Sequence, residues 1–336
     1  MHVENLFSSA TLLSLTFLLS FFATLVFTKI LIRKITFTSK TRKGSEVVFL
    51  SKDMASGKMV PKLGGLAITA GFCFSLLVAL KLLRLEEAIP ILAAMSTVLI
   101  IALIGLMDDL FRVREIWRVL LPAVAALPLM VITAGVSQIN LIFITVNFGI
   151  FYSLILVPIG VMACSNLINN LAGHNGLEAG TGAVVCFSIF FASYALFVAY
   201  PNSFTIVAPT IMLAMTAACL AFLVFNWYPA KIFPENIGTY VIAAAIASAV
   251  IIGNIERIGI IALIPQIVEF LLKARSKFQA ENFGKLIRGR LYYDGKIYSL
   301  THILMKYLHP TEKQLVTHLI LIQLIFGILA VSSIWW

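Results

Sequence analysis

About ten apolar runs, each close to the length that crosses a bilayer, follow one another along this chain: roughly 8–32, 63–83, 89–107, 117–135, 148–165, 181–200, 205–226, 238–253, 257–272 and 314–336. In a hydrocarbon core about 30 Å thick, backbone N–H and C=O groups find partners only in one another, so a span of about 20 apolar residues must be a helix. The pattern dictates an all-α, polytopic integral membrane protein. A composition of 60% hydrophobic and 12% charged residues excludes a soluble enzyme or a nucleic-acid-binding module. Runs 238–253 and 257–272 are short enough to read as one bent hairpin. The first run is too long for a signal-peptide core and lacks a small-residue cleavage site, so it is kept as a span. Residues 1–336 read as a single transmembrane domain without repeats.

The net charge of +10 is distributed unevenly. Loop 33–62 carries Arg33, Lys34, Lys40, Arg42, Lys43, Lys52, Lys58 and Lys62, and loop 273–313 carries nine more bases from Lys273 to Lys313. Loop 108–117, with Arg118 just beyond it, adds Arg112 and Arg114, and loop 227–237 adds Lys231, whereas the intervening loops hold only Lys81, Arg84 and Arg257. The positive-inside rule places the basic loops in the cytoplasm and both termini outside the cell membrane. Topology and attraction to anionic lipid account for most of these charges. Cys73, Cys164, Cys186 and Cys219 lie in apolar runs without metal-site spacing and read as small buried hydrophobes. Asp294-Gly295, between β-forming residues, predicts a small cytoplasmic hairpin.

Polar residues gather on that cytoplasmic side, in loop 166–180 above all. Asn166-Leu-Ile-Asn-Asn-Leu-Ala-Gly-His-Asn-Gly-Leu-Glu-Ala-Gly180 packs amides, a carboxylate and glycines against the end of a span. Desolvating such groups is costly unless they bind something, and amide and carboxylate oxygens suit a hard cation or a phosphorylated ligand. Three- and four-residue spacing puts Asn166, Asn169 and Gly173 on one helical face, with Asn170 elsewhere. His174 is a candidate base, although a lone histidine beside glycine is more often structural. Asp108-Asp109 closes the third span at the negative end of a helix dipole, a conflict that calls for a cation, either Arg112 and Arg114 or a metal. Gly64-Gly65 and Asn226-Trp-Tyr-Pro-Ala-Lys-Ile-Phe-Pro-Glu-Asn236 complete a pocket at the membrane surface.

These residues resemble a family. Ala102-Leu-Ile-Gly-Leu-Met-Asp-Asp-Leu110, Trp117-Arg-Val-Leu-Leu-Pro122, Leu127-Pro128-Leu129, Asn166-x-x-Asn169 with Leu171-Ala-Gly-His-Asn-Gly-Leu-Glu-Ala-Gly180, Phe225-Asn-Trp-Tyr-Pro-Ala-Lys-Ile-Phe233 and Pro265-Gln266 are similar to the polyprenyl-phosphate N-acetylhexosamine-1-phosphate transferases, in their eukaryotic and archaeal branch. The resemblance runs from about Lys52 to Phe270. It implies ten spans, a cytoplasmic active site, Mg²⁺ (with Mn²⁺ as an alternative) and a homodimer. It further implies transfer of GlcNAc-1-phosphate from UDP-GlcNAc to a dolichyl-type polyprenyl phosphate, with UMP leaving.

Carried over by motif, Asp108 and Asp109 form the catalytic acid pair, and Asn175, Asn236 and Asp108 are the metal ligands. Lys52, Asp53, Met54 and Lys62 match a nucleotide-sugar segment, joined by Glu178, Thr181, Asn226 and Phe233, with Arg288 and Arg290 standing in for a sugar-recognition loop. Arg118, Asn166, Asn169 and Gly173 face the lipid phosphate. One departure matters: where the family places Gly-Asp and uses the aspartate for magnesium, this chain has Glu235-Asn236, so either Asn236 is a weaker, uncharged ligand, or Glu235 substitutes for it, or the activity has changed. The last cytoplasmic loop holds His302 and His309 singly, without the clustered histidines of the bacterial branch. Three alternatives stay open: a related transferase using another UDP-HexNAc and undecaprenyl phosphate, a non-enzymatic lipid-phosphate transporter, or a catalytically silent binding or scaffold member, to which Glu235-Asn236 points. The clustering of polar groups at one face, with no charge central in a span, favours an interfacial enzyme.

Overall fold

A computed structural model describes residues 2–41, 49–53, 57–111, 113–135, 137–140, 145–201 and 205–336. Thirteen α-helices and three two-stranded ribbons are found among them. The helices are α1 (His2–Thr41), α2 (Gly65–Ala79), α3 (Leu85–Phe111), α4 (Glu115–Leu120), α5 (Leu127–Val131), α6 (Val157–Asn170), α7 (Leu177–Ala199), α8 (Val207–Asn226), α9 (Glu235–Gly253), α10 (Glu256–Ala262), α11 (Ile264–Ala274), α12 (Leu300–Leu308) and α13 (Glu312–Ser332). The ribbons pair β1 (Leu50–Lys52) with β2 (Met59–Pro61), β3 (Gln138–Asn140) with β4 (Thr145–Asn147), and β5 (Lys285–Ile287) with β6 (Arg290–Tyr292), all antiparallel.

Among the described residues, eight helical stretches are long and apolar enough to cross a membrane: Ser9–Thr38, Gly65–Leu82, Leu85–Phe111, Tyr152–Asn170, Leu177–Ala199, Val207–Asn226, Glu235–Gly253 and Glu312–Trp335. The protein is an all-α polytopic membrane protein. The two remaining runs are broken rather than continuous. Run 117–135 becomes α4, a 3₁₀ stretch at Leu121–Ala126 and α5, with Pro122 and Pro128 removing backbone donors. Run 257–272 breaks at Leu263, just before Pro265. The basic loop expected from residue 33 begins as helix, since α1 continues to Thr41.

α8 and α9 form the buried axis, and α1 shows lipid most of its surface. α9 is rich in small residues, including Ala243, Ala244, Ala245, Ala247 and Ala249, all buried. Without a hydrophobic force between helices in lipid, such residues let backbones approach closely. Two glycines carry this to the site. A side chain on Gly65 of α2 would collide with the Gly238 backbone, and a Cβ on Gly105 of α3 would lie 2.8 Å from Ile237 Cα. The start of α9 is therefore wedged against the start of α2 and the last turns of α3. The loop before α9 is fastened there by Phe233 N–H to Pro61 O at 2.9 Å, Gly64 N–H to Phe233 O at 2.9 Å and Gly65 N–H to Pro234 O at 3.1 Å.

The hairpin expected near 292–298 is present, but displaced. Its turn is Arg288-Gly289, both at positive φ (49° and 78°), the combination a tight two-residue turn requires. Asp294-Gly295 follows the second strand instead.

Candidate active site

The dipole conflict at the end of α3 is resolved from two directions. Asp109 accepts the N–H groups of Asn236 and Ile237, each at 3.1 Å, so its charge lies on the positive end of α9. Asp108 is 3% exposed and faces Arg118. Arg118 Nε lies 2.8 Å from Asp108 Oδ2, and Nη2 donates to Oδ1 at 3.0 Å. Oδ1 also accepts Val113 N–H at 3.1 Å, and Oδ2 accepts Asn236 Nδ2 at 2.8 Å. The compensating cation is Arg118; Arg114 is exposed, and Arg112 lies outside the described residues.

Asn169 joins this cluster through Thr239, whose hydroxyl donates to Asn169 Oδ1 at 2.9 Å from the first turn of α9. Asn166 ties α6 to α4, its Nδ2 donating to Val119 O at 3.2 Å and Met162 O at 2.7 Å. Gly173 does not share their helical face, because α6 ends at Asn170. Its N–H turns back to Glu178 Oε1 at 2.7 Å.

A second network surrounds Asn175, which is 1% exposed. Its Nδ2 donates to Asp53 Oδ1 at 3.1 Å and Glu312 Oε1 at 2.9 Å, its N–H donates to the same Glu312 oxygen at 2.9 Å, and its Oδ1 accepts Ala230 N–H at 3.2 Å. Ala230 belongs to the loop closed by Asn226 Nδ2 donating to Ile232 O at 2.9 Å. Around this turn, Glu178 Oε2, Asn226 Oδ1 and Glu312 Oε2 are buried acceptors with no partner among the described residues. Buried acceptors without donors are uncommon and suit a ligand bearing N–H or O–H groups.

The metal-ligand set expected from the motifs thus divides. Asp108 and Asn236 are hydrogen-bonded to one another, whereas Asn175 bonds to Asp53, Glu312 and Ala230 in the second network. Thr181 spends its hydroxyl on Leu177 O at 2.8 Å, inside α7. Phe233 contributes backbone contacts to the α2 start. Lys62, half-buried, acts on Glu235 by its charge, and Ser51 donates to the Glu235 carboxylate. Lys52 ends β1, and Met54 lies outside the described residues. Arg288 and Arg290 are exposed on the β5–β6 ribbon, with Arg290 Nη1 donating to His309 O at 3.1 Å.

Sequence reasoning missed Glu312 and Asn282. Glu312, at the start of α13, receives two donors from Asn175 and lies 3.6 Å from His174 Nδ1. His174 is buried, with Nε2 3.0 Å from Asn282 O, which suits a structural histidine. Burial lowers the pKa of His302, whose Nδ1 accepts Tyr298 N–H, so its other nitrogen carries the proton donated to Glu281 O at 2.7 Å. No group of three His, Cys, Asp or Glu side chains that could hold a metal occurs among the described residues. Mg²⁺ does not need one: it is commonly held by one or two carboxylates together with substrate phosphates and water. Asp108 and Asp109, with the Asn236 side chain hydrogen-bonded to Asp108, offer carboxylate and amide groups of that kind.

A cavity of about 220 Å³ leads away from this face between α6, α9 and the α10–α11 bend. It runs along one side of the Tyr152–Asn170 stretch from Leu167 past Cys164 and Gly160 to Tyr152, about 20 Å at ~1.5 Å per residue. Its walls are apolar except at the far end, where Tyr152 Oη donates to Glu256 Oε1 at 2.5 Å.

Comparison with known proteins agrees with this geometry. The family described as glycosyl transferase family 4 matches residues 91–254, which include the acid pair, Arg118, the 166–180 turn and the start of α9. A Saccharolobus solfataricus protein, provisionally named a UDP-N-acetylglucosamine–dolichyl-phosphate N-acetylglucosaminephosphotransferase, is 41% identical over 324 residues, covering 94% of this chain and 95% of its own. The Dictyostelium discoideum protein of that name is 28% identical over 258 residues, covering 66% and 62%. A phospho-N-acetylmuramoyl-pentapeptide-transferase of Halalkalibacterium halodurans is 32% identical over 146 residues, 40% of this chain and 42% of that one. With its acid pair, basic partner and amide-rich turn at one membrane face, the chain belongs to glycosyl transferase family 4.

Proposed function

We propose that this protein transfers GlcNAc-1-phosphate from UDP-GlcNAc to a polyprenyl phosphate of the dolichyl type, releasing UMP, as a single transmembrane domain. The observation that carries this is the Asp108–Arg118–Asn236 cluster, with Asp109 on the α9 N-terminus, in a chain 41% identical to a relative named for that reaction. The acceptor phosphate oxygen attacks the β-phosphorus of the donor, the bond to the bridging oxygen breaks, and UMP carries away the electron pair. A phosphate monoester has its second pKa near 6, so the acceptor is largely dianionic at neutral pH and needs little help from a base. The difficulty is repulsion between anions. Arg118 and the N-terminus of α9 supply positive potential where the phosphates meet. Asp108 holds Arg118 and Asn236 in place, with both its oxygens already engaged. Mg²⁺, held by Asp108, Asp109 and Asn236, would offset charge on the donor diphosphate.

The Asn175 network, with Asp53, Glu178, Asn226 and Glu312, takes the nucleotide sugar, and Arg288 and Arg290 reach it from the hairpin. The apolar cavity along the Tyr152–Asn170 stretch receives the acceptor's hydrocarbon. The basic loops, and so the site, face the cytoplasm, both termini lie outside, and the protein works as a homodimer. Purified protein in lipid, given polyprenyl phosphate, Mg²⁺ and labelled UDP-GlcNAc, releases UMP and labels lipid. Asp108→Asn cuts this by about 10²-fold or more, the scale of losing one organised catalytic group. Label entering lipid only from a muramoyl-pentapeptide nucleotide would reverse the donor assignment, and absence of any transfer would favour a transporter.

A further inference from the structure

The basic hairpin is stitched to the amide-rich turn at several points, two of which meet on one carbonyl. Asn170, the last residue of α6, offers its backbone oxygen to Lys273 Nζ at 2.7 Å and to Asn282 Nδ2 at 2.9 Å. Asn282 Nδ2 also donates to Ala172 O at 2.7 Å, and its own backbone oxygen accepts Thr301 Oγ1 at 2.9 Å. The next residue, Phe283, packs on His174 with ring centroids 5.3 Å apart. On α11, Glu269 is fully buried and accepts Leu300 N–H at 2.7 Å and Ser299 Oγ at 3.1 Å, which holds the start of α12. The segment 275–298, which carries Arg288 and Arg290, is thus fastened at both ends to one helix and along its length to the turn 170–174.

A helix C-terminus ordinarily satisfies its carbonyls with water or a left-handed cap. Here a lysine side chain only 11% exposed is committed to one of them. Burying an ammonium is costly, and a cap alone does not call for it. Lys273 lies 3.9 Å from Glu269 Oε1, so the same residue joins the clamp on α12 to the end of α6.

We propose that Lys273 and Asn282 are positioning residues for the donor: by converging on the Asn170 carbonyl they fix the basic hairpin relative to the 171–178 turn, so that both sides of the nucleotide-sugar site keep one spacing. This rests on the donor site assigned above. Misplacing a binding group by about 1 Å can cost orders of magnitude, so the effect belongs to the donor and not to the acceptor.

The test separates the two substrates. Lys273→Met keeps the apolar stem and removes the donors; Asn282→Leu keeps the bulk. Each raises KM for UDP-GlcNAc about tenfold, leaves KM for polyprenyl phosphate within about twofold, and changes kcat by less than about threefold. Lys273→Arg recovers most of the loss. UDP-GlcNAc binding, measured by calorimetry, weakens by the same factor, a readout that needs no turnover. If Lys273→Met does not accumulate as folded protein, Asn282→Leu alone carries the comparison, since it removes the other donor to the same carbonyl. A lower melting temperature and lower kcat with both KM values unchanged would reduce the pair to a cap on α6 and overturn the proposal. Wild-type protein that binds UDP-GlcNAc without transferring it would remove the transferase reading alone. Wild-type protein that does not bind it removes both.

Discussion

Asp109 on α3 grips the first turn of α9 through the N–H groups of Asn236 and Ile237, both at 3.1 Å. The two residues belong to different spans, and the contact sets where the loop before α9 lies. A carboxylate at a helix N-terminus contributes about 1–2 kcal/mol through its hydrogen bonds and the dipole. Asp109→Ala lowers the melting temperature by several degrees, and Asp109→Asn by less, since an amide oxygen still accepts one bond. Both lose turnover by more than the change in folded fraction, because Asn236 shifts with the turn. Thermal melts alongside initial rates check this; rates that track folded fraction would leave Asp109 a structural anchor only.

The Asn236 amide donates to Asp108 Oδ2 at 2.8 Å. Asn236→Asp replaces that bond with two carboxylates facing one another, which repel unless a proton or cation lies between them. Without divalent ions the variant melts below wild type. Mg²⁺ restores it, and half-maximal activity is reached at a lower Mg²⁺ concentration than in wild type. Melting and rate titrations give both numbers. If Asn236 merely caps α9, the magnesium titration stays where it was.

Glu235 occupies the left-handed region at φ 53°, which costs an L-residue about 1–2 kcal/mol. Strain of this kind persists where the surroundings hold it, and here Ser51 and the charge of Lys62 engage the carboxylate. Glu235→Gly removes the strain, so the melting temperature rises by a few degrees. If Lys62 serves the donor, turnover falls by about fivefold or more because Lys62 loses its charge partner. A variant both more stable and fully active would show that the carboxylate serves only the loop.

Much of this was legible in the chain, and the rest was lost for specific reasons. Asp108-Asp109 stood out because two acids at a helix C-terminus contradict the dipole. The remedy for Asp109 lies 127 positions away in α9, and no local pattern reveals it. Helical spacing carried Gly173 onto the face of Asn166 and Asn169, but periodicity does not show that α6 stops at Asn170. The prolines at 122, 128 and 265 marked the broken runs, yet apolarity alone made those runs look continuous. The hairpin turned at Arg288-Gly289 because an arginine there accepts positive φ, which residue-type preference would not choose over Asp294-Gly295. Asn175 and Asn236 look alike as amide ligands, and only the fold assigns their bonds to two networks. Glu312 begins the last span and shows its partner, Asn175, only in three dimensions.

The cavity along the Tyr152–Asn170 stretch gives the most selective test of how the acceptor is held. A Cβ built on Gly160 meets nothing nearer than Ile251 Cδ1 at 3.8 Å, so the backbone of a larger residue fits without strain. The rest of a leucine side chain would extend into the cavity, midway between Leu167 at one end and Tyr152 at the other. Gly160→Leu then keeps or raises thermal stability, since glycine within a helix costs roughly 0.5–1 kcal/mol and the leucine fills space. If the acceptor hydrocarbon lies in this cavity, KM for a long polyprenyl phosphate rises about tenfold while KM for UDP-GlcNAc does not move. A short acceptor of one or two isoprene units, whose tail would not reach residue 160, is used as well by the variant as by wild type. Equal KM values for the long acceptor in both proteins would place the hydrocarbon elsewhere on the membrane surface of the helices.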